Sequence, residues 1–282
     1  MTRCPHASAT LAIGLATAGA FAQEAPNTIS ATQPSPDQWV LRTSARAWLF
    51  DGGAAAVARD GFVVEERFRL ALGITKEFAA EVSLPLFQAN FDDPTPQQSP
   101  FDPDRTGIGD LDLTFKWRVW KEDLGPVDTV RLAIIAGTEV PTATNDFGSR
   151  SFDPVAGAAF TGIFGRHGIG AALTWRFTTD DTEYPLFAGD SLADVLSLNV
   201  AHLYRISPAV FPEEHVGAWY LTTELLSTYE TNGDYEVAFT PGILYEGPRW
   251  AFEAGVSVPI VRELEHRPTS SISGFIGLRF LF

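Results

Sequence analysis

Residues 109–120 read Gly109-Asp-Leu-Asp-Leu-Thr-Phe-Lys-Trp-Arg-Val-Trp120, and their alternation decides the fold. Leu111, Leu113, Phe115, Trp117 and Val119 share one parity; Asp110, Asp112, Thr114, Lys116 and Arg118 share the other. At two residues per repeat every apolar side chain falls on one side of an extended chain, whereas a helix would scatter the same residues around its circumference. The stretch is therefore a strand with one apolar and one polar face.

The same pattern repeats outward in both directions. Twelve strands are expected near 39–50, 62–74, 77–88, 108–120, 129–140, 154–164, 168–179, 191–205, 217–229, 235–246, 249–261 and 271–282. The sixth is the least patterned, because Ala and Gly occupy both of its faces. Tight links such as Gly165-Arg166-His167-Gly168 alternate with long ones such as 88–107 and 179–190. Short turns on one side and long loops on the other are the habit of outer-membrane barrels. Ser207–Val216 and Glu230–Asp234 depart from that alternation. The fold class that follows is all-β, an up-and-down antiparallel transmembrane barrel of about twelve strands.

The N-terminus reads as an export signal. Arg3 precedes the apolar run Ala9–Ala20, and Ala20-Phe21-Ala22 offers a small-x-small cleavage site before Gln23. Removing residues 1–22 leaves 260 of the 282 residues and moves the formal charge from −15 to −16, since Arg3 is the one charge removed. It also removes Cys4, the single cysteine, which excludes disulfides and a cysteine nucleophile from the mature chain. Residues 23–38 lack periodicity and are expected to be a flexible periplasmic tail, too short for a folded plug domain, with the barrel over 39–282. The acidic balance excludes generic nucleic-acid binding. No segment carries the ~20 apolar residues of a spanning helix, although 45% of the chain is hydrophobic.

The last strand orients the sheet. Ile272, Gly274, Ile276, Leu278, Phe280 and Phe282 form one face, and Arg279 lies on the other. Arginine in hydrocarbon costs ~2–4 kcal/mol near the midplane, so the Arg279 face should be lumen. Extending that parity gives a lumen set of Arg42, Arg46, Glu65, Arg67, Arg69, Glu81, Asp110, Asp112, Lys116, Arg118, Arg131, Glu139, Arg176, Glu224, Glu236, Glu246, Glu253 and Arg279. Nine basic and nine acidic groups imply ion pairing across facing strands and a narrow pathway. Phe280 and Phe282 are the expected signal for the barrel-assembly machinery. The acid excess then falls in loops, at Asp92, Asp93, Asp102 and Asp104 and at Asp180, Asp181, Glu183 and Asp190, where divalent cations and lipopolysaccharide could meet them.

No catalytic constellation emerges. His167, His202, His215 and His266 lack a serine and acid at useful spacing, and His202 sits among outward Leu198, Val200 and Tyr204 as a girdle residue. Neither metal ligands nor a cofactor motif is identified.

The run Gly107-Ile-Gly-Asp110-Leu-Asp-Leu-Thr-Phe-Lys116-Trp-Arg118 resembles the signature of the MetA-pathway phenol-degradation family of outer-membrane proteins. Ala136-Gly-Thr-Glu-Val-Pro141-Thr resembles that family's Gly-x-x-x-Pro-Thr-Gly segment, with Ala143 where Gly is usual; Phe152-Asp153-Pro154 and Gly168-Ile-Gly170 resemble its next hairpin. The likeness is best over 107–180. It implies an outer-membrane barrel that passes small, often aromatic or hydrophobic, molecules, and it carries over no catalytic residue. The partners expected are outer-membrane lipids and lipopolysaccharide, the assembly machinery and small solutes. A structural or adhesive barrel with cation-binding loops is the alternative function, and a soluble periplasmic barrel or sandwich the third reading.

Overall fold

A computed structural model describes residues 23–53, 58–92, 104–182, 185–211 and 216–282. The signal segment 1–22, Asp93, Asp102, Glu183 and His215 lie outside the described residues.

Thirteen strands make one sheet: β1 (Trp39–Gly52), β2 (Arg59–Gly73), β3 (Phe78–Asp92), β4 (Asp104–Ile108), β5 (Leu111–Asp123), β6 (Thr129–Val140), β7 (Asp153–Phe164), β8 (His167–Arg176), β9 (Val195–Ser207), β10 (Ala218–Glu230), β11 (Tyr235–Glu246), β12 (Trp250–Glu263) and β13 (Ser270–Leu281). Every pairing between these strands is antiparallel. β1 pairs with β13, and β2 with β3, so the sheet closes on itself. β4 and β5 both pair with β3 and succeed one another along it, so they fill one position of a twelve-strand barrel. The chain ends are clipped into this seam: the Trp39 N–H donates to Phe282 O at 2.8 Å and the Phe282 N–H to Trp39 O at 3.0 Å.

Among the described residues closure pairs every strand but the short β4 on both sides, which suits a solvent that cannot satisfy backbone groups. The outer wall exposes Phe68, Phe115, Trp117, Ile134, Leu173, Leu198, Leu221, Phe239, Ile243, Ile276 and Phe280. A soluble protein would hide such a continuous apolar surface, so this wall is the lipid face. Tyr245 contacts both Trp219 and Trp250 near the short-turn rim, and Phe78 stacks on Trp117 there, as interfacial girdles do. Glu66 is also exposed on the outer wall, and nothing in the structure explains it. With short turns in the periplasm, β1 starts at the periplasmic rim and β13 returns there. β7 is formed despite its mixed pattern because its backbone completes two neighbouring ladders, with β6 and β8.

The expected tail is in a different place from the one its composition suggested. Residues 23–38 are seated inside the barrel. Pro36 bridges Gly73 at the periplasmic rim, and the apex at Asn27 and Thr28 reaches Glu224 in the middle of β10. Gln23 lies back near the rim, its N–H donating to Glu246 at 3.2 Å. The segment has few apolar residues, so hydrophobic patterning could not place it. It is held by lumen carboxylates and hydroxyls that satisfy its backbone.

Candidate functional site: a lumen closed in two tiers

The lumen divides into an extracellular aromatic tier and a periplasmic charged tier. Trp48, Phe50, Val63, Phe87, Ala89 and Phe91 point inward from the upper parts of β1, β2 and β3. Phe147 from the β6–β7 loop, and Leu186 and Phe187 from the β8–β9 loop, fold in to meet them. Phe87 stacks on Phe147 with ring centroids 5.1 Å apart, and Phe187 lies 4.9 Å from Trp48 and 5.7 Å from Phe87. Offset and edge contacts of this kind add to simple burial.

Loop polar groups hold those aromatics in place. The Asp190 carboxylate accepts the Leu186 and Phe187 N–H groups at 3.1 and 2.9 Å, fixing the bend that turns Phe187 inward. Burial pushes the Asp190 carboxyl above its usual range, and these two N–H donors oppose that rise. Asp190 is therefore a half-buried capping group for this bend. Asp153, fully buried, accepts from Ser149, Ser151 and Thr179, and so ties the two inward loops together.

Asp110 has a similar task. It sits at the break between β4 and β5 and accepts N–H donors from Thr142 and Ala143 at 2.8 Å each, and from Ser149 at 2.9 Å. It forms no ion pair with Lys116 or Arg118, contrary to what parity suggested, because the strand break turns it toward the loop. Gly107 and Gly109 make the seat. A Cβ on Gly107 would lie 2.7 Å from the Phe147 ring and from Thr144 O, and one on Gly109 2.6 Å from the Phe87 ring. The Gly-x-Gly-Asp run and the Pro-Thr segment, far apart in sequence, are thus two halves of one joint, made by Asp110 with Thr142 and Ala143.

That joint unites the two motif segments that carried the resemblance, and a family model agrees with it. The chain belongs to the family described as "Putative MetA-pathway of phenol degradation", whose model matches residues 43–258. Among solved structures, an outer membrane channel from Pseudomonas putida F1 superposes with a TM-score of 0.56 at 13% identity, covering 89% of this chain and 97% of that one. LpxR from Salmonella typhimurium gives 0.49 at 9% identity, covering 86% and 100%. The translocator domain of the autotransporter NalP from Neisseria meningitidis gives 0.48 at 12%, covering 88% and 90%. No curated protein matches the sequence. The first of these structures shares the barrel fold, and the apolar outer wall places this family member in the outer membrane.

The charged residues form three groups, the first in the periplasmic tier, the second at mid-barrel and the third at the extracellular ends of β6 and β8. Arg42 meets Glu253 at 2.9 Å, while Arg279, 1% exposed, reaches Glu24 at 2.8 Å, Glu253 at 3.4 Å and Glu246 at 3.7 Å. Arg67 bridges Glu65 and Asp112, the latter at 3.1 Å. Arg176 meets Glu139 at 2.8 Å. The remaining cations do not find carboxylates across the strands, as a balanced set implied. Arg46 donates to Asn27 and covers the Phe275 ring at 4.8 Å. Lys116 donates to Thr32 O at 3.0 Å, Arg131 to Thr32 Oγ1 at 3.2 Å, and Arg118 to Lys76 O. Glu224 accepts the Asn27 Nδ2 at 2.7 Å and the Thr28 N–H and Oγ1, each at 2.7 Å. The 23–38 segment is thus the missing partner of Arg46, Lys116, Arg131 and Glu224. Arg69, Glu81 and Glu236 have no hydrogen-bond or ion-pair partner among the described residues.

Parity from Arg42 and Glu81 could have placed Trp48, Phe50 and Phe87 in the lumen. The same parity on β9 gives Arg205, a buried inward cation over Phe211. Phe147, Leu186 and Phe187 carry no such signal, since they come from loops. His202 lies on the outer wall, 3.0 Å from His167 and beside the interfacial Tyr204. His266, expected to lack a partner, has one: its Nδ1 is 2.9 Å from Asp234, which also accepts the N–H groups of Glu265 and His266. Burial alone would raise the Asp234 carboxyl, but these donors prevail and hold it below its usual range. With Glu230–Arg267 at 2.8 Å, this contact pins the β12–β13 loop to the β10–β11 turn. Asp104 accepts from the Asn90 side chain across the β3–β4 pair.

Proposed function

We propose that this protein is a narrow outer-membrane channel for small molecules, aromatic ones among them, whose resting lumen is closed by the 23–38 segment and narrowed by the aromatic tier. The observation that carries this reading is the seating of residues 23–38 among lumen charges. Ordering a chain segment costs about 1–2 kcal/mol per residue, and a net hydrogen bond returns only about 0.5–1.5 kcal/mol, or 1.5–3 where a charge takes part. Apart from Ala25 and Ala31, which join small buried clusters, the segment gains little apolar burial. Its hold is therefore polar and exchangeable with water or solute, as befits a displaceable stopper.

The aromatic tier supports the substrate class. A ring passing Trp48, Phe87, Phe147 and Phe187 trades one aromatic contact for another, so it is not stripped of partners on the way. The family description names the degradation of phenol, an aromatic compound.

Planar-bilayer conductance and liposome swelling test the proposal, with the full chain and a variant lacking 24–37 but keeping the export segment. A small, fluctuating conductance for the full chain and a several-fold larger one for the deletion are expected, with phenol entering liposomes faster than a sugar of like size. A large, ohmic conductance shared by both proteins would overturn the stopper. Absence of solute entry with either would leave a structural barrel in place of a channel.

A further inference from the structure

Against the inserted segment, the wall made by β13, β1 and β2 carries a row of arginines that the segment meets only in part. Arg69, Arg42 and Arg279 are direct partners across β2, β1 and β13, three guanidiniums side by side at one level of the lumen. Like charges directly opposite one another destabilise a sheet unless something neutralises them. Glu253 serves Arg42 and Arg279, and Glu24 adds to Arg279. Arg69 has no such partner. It faces two adjoining cavities of about 120 Å3 each, shared with Lys116 and Glu81. Lys116 has no carboxylate within ion-pair distance and donates only to the Thr32 carbonyl. Arg69 and Lys116, neither with a carboxylate within ion-pair distance among the described residues, therefore share these cavities with Glu81 and Glu24.

One inward position nearer the periplasmic rim, Ala71, Val40 and Leu281 form an apolar row in the same register. They line the same cavity as the arginines, and Pro34 of the inserted segment covers it. A charged row above an apolar row matches an amphipathic solute with one charged end.

We infer that this cavity is a binding subsite for a small organic monoanion, with the carboxylate between Arg69 and Lys116 and the hydrocarbon body against Val40, Ala71 and Leu281. A guanidinium recognises a carboxylate through paired N–H donors, which makes Arg69 the specificity-determining residue. The inference names a substrate class for the channel proposed above, and rests on that reading for its purpose but not for the binding itself.

Isothermal titration calorimetry on the detergent-solubilised full chain tests it, with benzoate, benzyl alcohol, acetate and chloride as probes. Benzoate is expected to bind at least tenfold more tightly than benzyl alcohol, which lacks the charge, and than acetate or chloride, which lack the body. Arg69→Gln and Lys116→Gln should each weaken benzoate tenfold or more, Arg69→Lys should restore part of the affinity, and Arg150→Gln, exposed on the β6–β7 loop at the other end of the barrel, should change nothing. Heat-modifiable migration on gels verifies that each variant is a folded barrel. Equal binding of benzyl alcohol, full competition by equimolar chloride, or unchanged affinity in folded Arg69→Gln and Lys116→Gln would overturn the subsite. Swelling assays separate the two proposals: benzoate binding without flux removes the channel and keeps the site, whereas flux with no preference for the anion removes the site and keeps the channel.

Discussion

The two tiers of this lumen narrow the same barrel by opposite physics. In the extracellular tier strand aromatics meet loop aromatics, with Asp110, Asp153 and Asp190 bracing the loops behind them, and contact between rings narrows the passage. The periplasmic tier is polar: strand charges meet a borrowed piece of backbone, and hydrogen bonds hold it there. Apolar packing is hard to exchange, because removing a ring leaves a void. Polar seating is easy to exchange, because water can take over each bond. The tier richer in hydrogen bonds is thus the one whose contacts water can replace without leaving a void.

Opening both tiers at once should give the largest effect. Narrow sections in series limit one another, so Phe147→Ala with Phe187→Ala in the protein lacking 24–37 should raise single-channel conductance beyond the sum of the separate gains. Separate gains that simply add would mean the tiers are not in series. Phe147→Ala alone should cost about 3–5 kcal/mol, because its ring is buried, and Phe187→Ala less, because its ring is half-buried, visible as a lower melting temperature of the folded gel band.

Glu224→Ala probes the polar tier by itself. It removes the acceptor of the Asn27 and Thr28 donors, and charge-assisted bonds of this kind carry about 1.5–3 kcal/mol each. The segment should become protease-accessible from the periplasmic side and the conductance noisier, with the barrel intact. An unchanged digestion pattern would show that the segment is held elsewhere.

Gly107→Val probes the seat of the aromatic tier. Its side chain would collide with the Phe147 ring and the Thr144 carbonyl, and overpacking of this kind costs about 1–3 kcal/mol. The β6–β7 loop should lift off, giving part of the conductance gain of Phe147→Ala. If conductance and stability stay as in the parent, the joint at Asp110 is not what holds the loop.

The smallest effect concerns pH. Asp234 has a carboxyl held below 3.8 by its donors. A depressed carboxyl contributes stability that is complete above the ordinary value and is lost as pH falls through the folded one. Hydrogen exchange at 264–269 should therefore stay slow at neutral pH and quicken only below about pH 4, while the aromatic tier stays protected. Quickening already near neutral pH would show that the Asp234 carboxylate is not what holds this loop.

The alternation of 109–120 made the strand, its parity and its lipid face legible in one pass, because a strand's two faces meet two solvents. The same parity put Arg279 and its companions on the inner wall. It failed at Asp110, where two glycines break the strand and turn the carboxylate toward a loop, and at residues 23–38, whose composition matches a free tail. It also left Arg69 without a partner that nine-against-nine counting had promised.

The sequence by itself determined a closed barrel with an apolar outside and a charged inside, since period-two patterning is local and each residue reports its own face. Only the tertiary structure decided what fills that barrel. Asp110 with Thr142, Phe187 with Trp48, and Glu224 with Asn27 are contacts between segments distant in the chain, and no local periodicity records them. Those contacts set the width of the lumen, the hold on residues 23–38 and the unfilled place beside Arg69.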